Sequence, residues 1–135
     1  MEPGTSPRIV TSKRKIVYRK SLWEVHQFQV WSGEQIGCVT VLKMTGSLLL
    51  WIGRADERRL GEVALGMPAV GAAGAVSTSL VEGEARAGAL ALRLAAALRR
   101  PVFACCALPL DRFTAPLLER ALAAEIRQFP EKFHS

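Results

Sequence analysis

CVTVLKMTGSLLLWIG, residues 38–53, reads as two β-strands joined by a tight turn. From Cys38 to Met44 one face carries Cys38, Thr40, Leu42 and Met44, and the other carries Val39, Val41 and Lys43. The alternation and the frequent β-branched residues are those of a strand. From Ser47 to Gly53 the run Leu48, Leu49, Leu50, Trp51, Ile52 is apolar at every position, the pattern of an interior strand covered on both sides. Thr45 and Gly46 fit the reversal between them, because glycine takes positive φ at little steric cost.

Working outward, Val25 to Trp31 alternates partially and predicts a first strand ending at Ser32-Gly33, with the second strand reaching back to Gln35. On the other side Arg54 to Arg59 is a turn rich in both signs of charge. Leu60, Val63, Ala64 and Met67 have helical spacing, but Gly61, Gly66 and Pro68 oppose a long helix, so the stretch is read as a strand. A glycine and alanine loop runs to Gly74, and Ala75 to Val81 alternates as another strand.

The clearest helix is predicted from about Gly83 to Arg99, where Ala87, Leu90, Ala91, Leu94 and Leu98 share a face. Glu82 and Glu84 near its start and Arg99 and Arg100 at its end match the helix dipole, and Pro101 stops it. Val102 to Leu108 is apolar on both faces and reads as an interior strand. A last helix starts at Asp111 or Thr114, either of which suits a cap, with Pro116 tolerated in its first turn. Leu118, Leu122, Ile126 and Phe129 form its apolar stripe, and Pro130 ends it. The fold class is therefore α+β: a mainly antiparallel sheet of about five to six strands, with two helices of the C-terminal half packed on it.

The 135 residues suit one domain, assigned to residues 21–135, after a flexible basic arm at residues 1–20. The formal charge of +6 sits mostly in that arm, which holds six basic residues against Glu2 alone. The other 115 residues carry 12 basic and 11 acidic groups, so the folded part is close to neutral. A nucleic-acid-binding module led by the arm, with its Lys13-Arg14-Lys15 run, is the alternative reading. Cys38, Cys105 and Cys106 are odd in number, and the adjacent pair points to opposite strand faces. Reduced thiols and a cytoplasmic location, with nuclear entry also open, are expected. Val63 to Val81 is 19 residues without a charge, but Pro68, Gly66, Gly71, Gly74 and Ser77-Thr78-Ser79 make it loop and strand rather than a membrane span.

Chemistry is sparse. His26 and His134 are the only histidines, and there is no nucleophile elbow, so no catalytic residue is assigned. Cys105-Cys106 lacks metal-ligand spacing, and no Gly-Lys-Ser/Thr or G-x-G-x-x-G follows the glycines, so neither metal nor cofactor is expected. Arg86, Arg93 and Arg100 recur at seven-residue spacing, and Arg120 and Arg127 do the same on the last helix. They form either a solvated face or a docking surface for an acidic partner. Glu125, the polar residue amid the last apolar stripe, either meets a cation from a partner chain or reaches water at the rim.

Three stretches carry a resemblance: MTGSLLLWIG at 44–53, VSTSL at 76–80 and FPEKF at 129–133. With weaker similarity at His26, Phe28, Glu34, Gln35, Val102 and Phe103, the chain from about Ser21 to Phe133 resembles the family of the fourth proteasome assembly chaperone. It departs from the family pattern over Arg54 to Ala75 and at Glu82-Gly83-Glu84. The resemblance implies a non-enzymatic protein that forms a heterodimer with the third proteasome assembly chaperone. The pair is expected to bind alpha-type proteasome subunits, notably the fifth, and to guide alpha-ring assembly of the 20S proteasome, leaving as the beta subunits join. A homodimer is the alternative for the chain in isolation. The family fold, a mainly antiparallel sheet with helices packed against it, matches the reading of the residues.

Overall fold

The hairpin at residues 38–53 lies at the middle of a six-stranded sheet. The structure is a computed structural model that describes residues 15–134, apart from positions 33, 70, 72, 73, 84, 85 and 110. Its elements are β1 (Glu24–Ser32), β2 (Glu34–Met44), β3 (Ser47–Gly53), β4 (Glu62–Pro68), β5 (Ala75–Val81), α1 (Ala87–Leu98), β6 (Val102–Cys106) and α2 (Thr114–Gln128), followed by a 3-10 turn at Pro130–Lys132. The strand order is β1-β2-β3-β6-β4-β5. Only β3 and β6 pair in parallel; the other neighbours are antiparallel. The α+β class, the strand at residues 62–68 and the two helices of the C-terminal half are as the sequence predicts. Of the basic arm, residues 1–14, including Lys13 and Arg14, lie outside the described residues, and residues 15–20 are exposed and belong to no helix or strand.

Met44 pairs with Ser47, so the β2–β3 turn has the two central residues Thr45 and Gly46, and Gly46 takes φ +78. That value is why a glycine stands there.

Strand register divides the sheet into two faces. One row runs His26, Val41, Leu50, Ala104, Ala64, Ser79 across the six strands. The neighbouring row on the same face includes Val39, Ile52 and Cys106. Val39, Val41, Leu50, Ile52, Ala64, Ala104 and Cys106 join Leu90, Ala91, Leu94 and Leu98 of α1 and Leu118 and Leu122 of α2 in one apolar cluster. Both helices therefore cover the same face. At Gly66 the approach of α1 is so close that a Cβ would run into the backbone carbonyl of Ala91.

Here the structure corrects an expectation. β3 and β6 are interior in the sheet order, but both helices lie over one of their faces; on the other, Cys105 and Gly53 are buried at one end and Phe103 is half-buried. Along β3 Leu48, Leu50 and Ile52 are buried, while Leu49 and Trp51 are only half-buried. The second apolar face of these strands has no helix layer over it, because both helices are needed to close the first.

The helices also differ in detail from the sequence reading. α1 begins at Ala87 rather than Gly83, and Arg86, at φ −105 and ψ 49, is its N-cap. Glycine at 83 resists helix entry, and no side chain caps the start. Its first turn has no acidic residue: Glu82 lies before the helix, and Glu84 lies outside the described residues. Arg99 closes α1 in the left-handed conformation, φ 60, with its N–H donating to Ala95 O at 2.9 Å. α2 is started by Asp111, whose Oδ1 accepts from the Thr114 and Phe113 amides at 2.7 and 2.8 Å.

Candidate functional site

The face of the sheet away from the helices carries a second apolar surface. Its central row is Val25, Leu42, Leu49, Phe103, Leu65, Thr78, which crosses all six strands. Leu42, Leu49, Leu65 and Phe103 are half-buried by their neighbours alone. Around them Val25, Trp31, Met67 and Val76 are exposed, Trp31 by 62% and Val76 by 54%. Contiguous apolar surface of this kind marks a binding face in a water-soluble setting. At one margin the Arg58 guanidinium lies 5.6 Å from the centre of the Trp51 ring, and Trp51 Nε1 donates to Arg59 O at 2.8 Å. The charged turn after β3 thereby fixes the Trp51 ring against the sheet. Beside it Gln27, Trp31, Cys38, Thr40 and Arg58 line a hollow of about 520 Å³.

The opposite side carries the arginines singled out in the sequence, but it does not gather them all. Arg86 and Arg93 lie exposed along α1, and Arg93 is ion-paired with Glu119 of α2. Arg100 leaves the stripe. The helix has ended at Leu98 and Arg99 turns the chain, so the Arg100 side chain is buried and donates from Nη1 to Phe133 O at 2.7 Å. It holds the C-terminal segment rather than presenting charge to a partner. Arg120 and Arg127 are exposed on α2. Arg112, which the seven-residue spacing does not reach, lies in the turn before α2 and joins Arg86 and Arg93 around one groove.

Glu125 is paired within its own chain and is only partly exposed. His26 Nε2–H of β1 donates to its Oε2 at 2.7 Å, and the two side chains are 16% and 18% exposed. The imidazole sits among Phe28, Phe129 and Phe133, with ring centres 5.5, 5.7 and 6.0 Å away. The pair ties β1 to α2. Burial, with the nearby Glu62 charge, pushes the Cys106 thiol up to about 12. The thiol is therefore protonated at neutral pH and a poor nucleophile. Among the described residues there is no cluster of three or more metal-ligating side chains, and no helix is long and apolar enough to cross a membrane.

The sequence reading missed Trp31, Met67, Val76 and Arg112. The signal for the first three was present in the two-sided apolarity of β3 and β6, since a strand with two apolar faces in a two-layer domain leaves one uncovered. Arg112 had no such signal, because only tertiary packing brings its turn beside α1.

A family model described as Proteasome assembly chaperone 4 matches residues 38–108, which span β2 to the end of β6. No curated protein matches the chain. Among solved structures, a chain from the crystal structure of a chaperone complex for yeast 20S proteasome assembly has a similar fold. It is 12% identical, with a TM-score of 0.52, and the match covers 82% of this chain and 94% of that one.

Proposed function

The chain belongs to the proteasome assembly chaperone 4 family, and from that premise we propose that it acts as one half of a chaperone pair that promotes alpha-ring assembly of the 20S proteasome. Its partner in the pair is the related third chaperone, and the pair binds alpha-type subunits, the fifth foremost, until beta subunits displace it. It makes and breaks no bond of its own. The cytoplasm is its place of work, a compartment in which Cys38, Cys105 and Cys106 stay reduced.

The observation that carries this reading is the one-sided core. Both helices cover one face of the sheet, and the other face is left apolar across six strands. Strands about 4.8 Å apart and about five residues long give a flat face on the order of 450 Å². That suits one side of a standard interface, roughly 800 Å² of accessible surface per partner. A second sheet of similar curvature would supply the layer this chain lacks. In isolation the same face would close on a second copy.

The test is pairing. Trp31 and Met67 are 62% and 42% exposed, so Trp31→Glu with Met67→Glu leaves the monomer folded. Co-expressed with the third chaperone, the unaltered chain should elute as a one-to-one complex that captures alpha-type subunits. The double variant should elute alone. Pairing that survives both carboxylates, or an unaltered chain that ignores the sister chaperone and every alpha-type subunit, overturns the proposal.

A further inference from the structure

On the side of the molecule away from the apolar face, α1 and α2 flank a groove of about 270 Å³ near their first turns. Leu90 and Leu118, both buried, form its floor, and Ala89, Ala115 and Pro116 its walls. Three guanidinium groups stand around it: Arg86 and Arg93 from α1, and Arg112 from the turn before α2. The one carboxylate lining it is Glu119, and Arg93 already pairs with that group. Arg112 lies over the Phe113 ring at 5.3 Å, and among the described residues neither it nor Arg86 makes an ion pair. The start of α1 adds to the positive field, having no acidic residue in its first turn and no side-chain cap. Asp111, next to Arg112, is engaged by the Thr114 and Phe113 amides.

We infer that this groove docks an acidic segment of a protein partner whose carboxylates are separated by pairs of small apolar side chains. The inference rests on the reading of the chain as a protein-binding chaperone and names a second surface for it, opposite the pairing face. Charge complementarity selects the occupant. Guanidinium forks bind carboxylates in bidentate geometry, and the apolar floor asks for methyl or isobutyl groups between them. Arg86 and Arg93 are seven residues apart, about 10 Å along a helix axis, and Arg93 engages Glu119 through Nη1, which leaves the rest of its fork to a second carboxylate. A polyproline II-type chain, with three residues per turn and about 3.1 Å rise, spans that distance in about three residues and puts residues three apart on the same side. The segment that fits is therefore of this extended kind, with acidic residues three apart. A nucleic-acid backbone needs a longer row of cations than one apolar-floored groove provides. Binding through exposed charges is fast and salt-sensitive, which suits a subunit that must later be released.

The experiment titrates the isotope-labelled full chain with the peptide Gly-Glu-Leu-Ala-Glu-Gly and follows backbone amide shifts. Saturable shifts are expected at Ala89, Leu90 and Ala115, weakening as salt rises. Arg86→Glu with Arg112→Glu should weaken binding roughly tenfold or more. The same double reversal should gain binding to Gly-Lys-Leu-Ala-Lys-Gly, which the unaltered chain ignores. Arg120→Glu with Arg127→Glu should change nothing. Shifts spread over the surface, no saturation, or equal losses in both double variants overturn the inference. So does a hexauridylate that displaces the peptide from the groove, which would assign it to nucleic acid. Pairing with the sister chaperone is measured on the same variants. If Arg86→Glu with Arg112→Glu pairs normally while peptide binding is absent in every form, the groove has failed and the pairing face stands. If Trp31→Glu with Met67→Glu also pairs normally, the reading on which the groove rests has failed as well.

Discussion

Asp111 shows how much one side chain can settle. Hydrogen bonds from the backbone amides of Thr114 and Phe113, and then from the Thr114 hydroxyl, hold its carboxyl below the usual carboxylate range. Its contribution to stability is complete above the unfolded pKa of about 3.9 and is lost as pH falls through the folded value. Asp111→Ala should therefore lower the melting temperature at pH 7, with the gap to the unaltered chain narrowing in acid. No gap at pH 7 would show that the cap is idle, and a gap unchanged down to pH 2 would show that the charge on its carboxyl plays no part. Cys106 gives the opposite case. With its thiol pushed up to about 12 by burial, iodoacetamide at pH 8 should leave it unmodified in the native chain and label it only after denaturation, read by mass spectrometry. The cap at Asp111 was legible in the sequence as one of two candidates, because capping is local. The partner of Glu125 was not, since His26 stands 99 residues away. No spacing rule spans that distance.

At the scale of elements, the C-terminal segment does more than end the last helix. Phe133 is fully buried in the core. Its carbonyl accepts from Arg100, while Lys43 Nζ of β2 donates to Glu131 O at 2.6 Å and His134 O at 3.2 Å. The FPEKF stretch thus works as a plug that fastens α2 to β1 and β2. Phe133→Ala should cost about 3–5 kcal/mol, checked by urea unfolding. A loss within the range of surface substitutions, about 0.5 kcal/mol, would mean that the plug carries no weight. Gly66 is the matching constraint on α1. Because a Cβ there meets the Ala91 backbone and not a flexible side chain, Gly66→Ala should destabilise by about 1–3 kcal/mol as the helix is forced outward. The sequence marked Gly66 only as an argument against a long helix. That it is the seat of α1 depends on which strand the helix crosses, and sequence periodicity does not carry that information.

Across the whole molecule, two surfaces of different chemistry lie on opposite sides of one sheet. The apolar face should bind a dye such as ANS in the lone chain, and pairing should abolish the signal. Val25→Lys with Met67→Lys, at positions 60% and 42% exposed on separate strands, should leave unfolding free energy within about 0.5 kcal/mol while reducing dye binding and pairing. Dye binding unchanged by both lysines would mean that the probe, and with it the exposed surface, lies elsewhere. The helix side is polar at its rim and holds its charge in a groove, so raised salt should weaken it and leave the apolar face stronger.

Local pattern alone determined the kind of each element, the β2–β3 hairpin and its turn glycine, the apolar stripe of each helix, and hence the α+β class, because period, propensity and turn chemistry act within a few residues. The apolarity of β3 and β6 on both faces was equally plain in the residues, as was their need for two covering layers. Only the tertiary structure decided that both helices fall on one side, that Arg100 is buried and Arg112 joins Arg86, and that one face of the sheet has no helix layer over it. Those outcomes depend on strand order, on register and on contacts between residues far apart in the chain. Such contacts are set by packing the whole domain, and no window of sequence contains them.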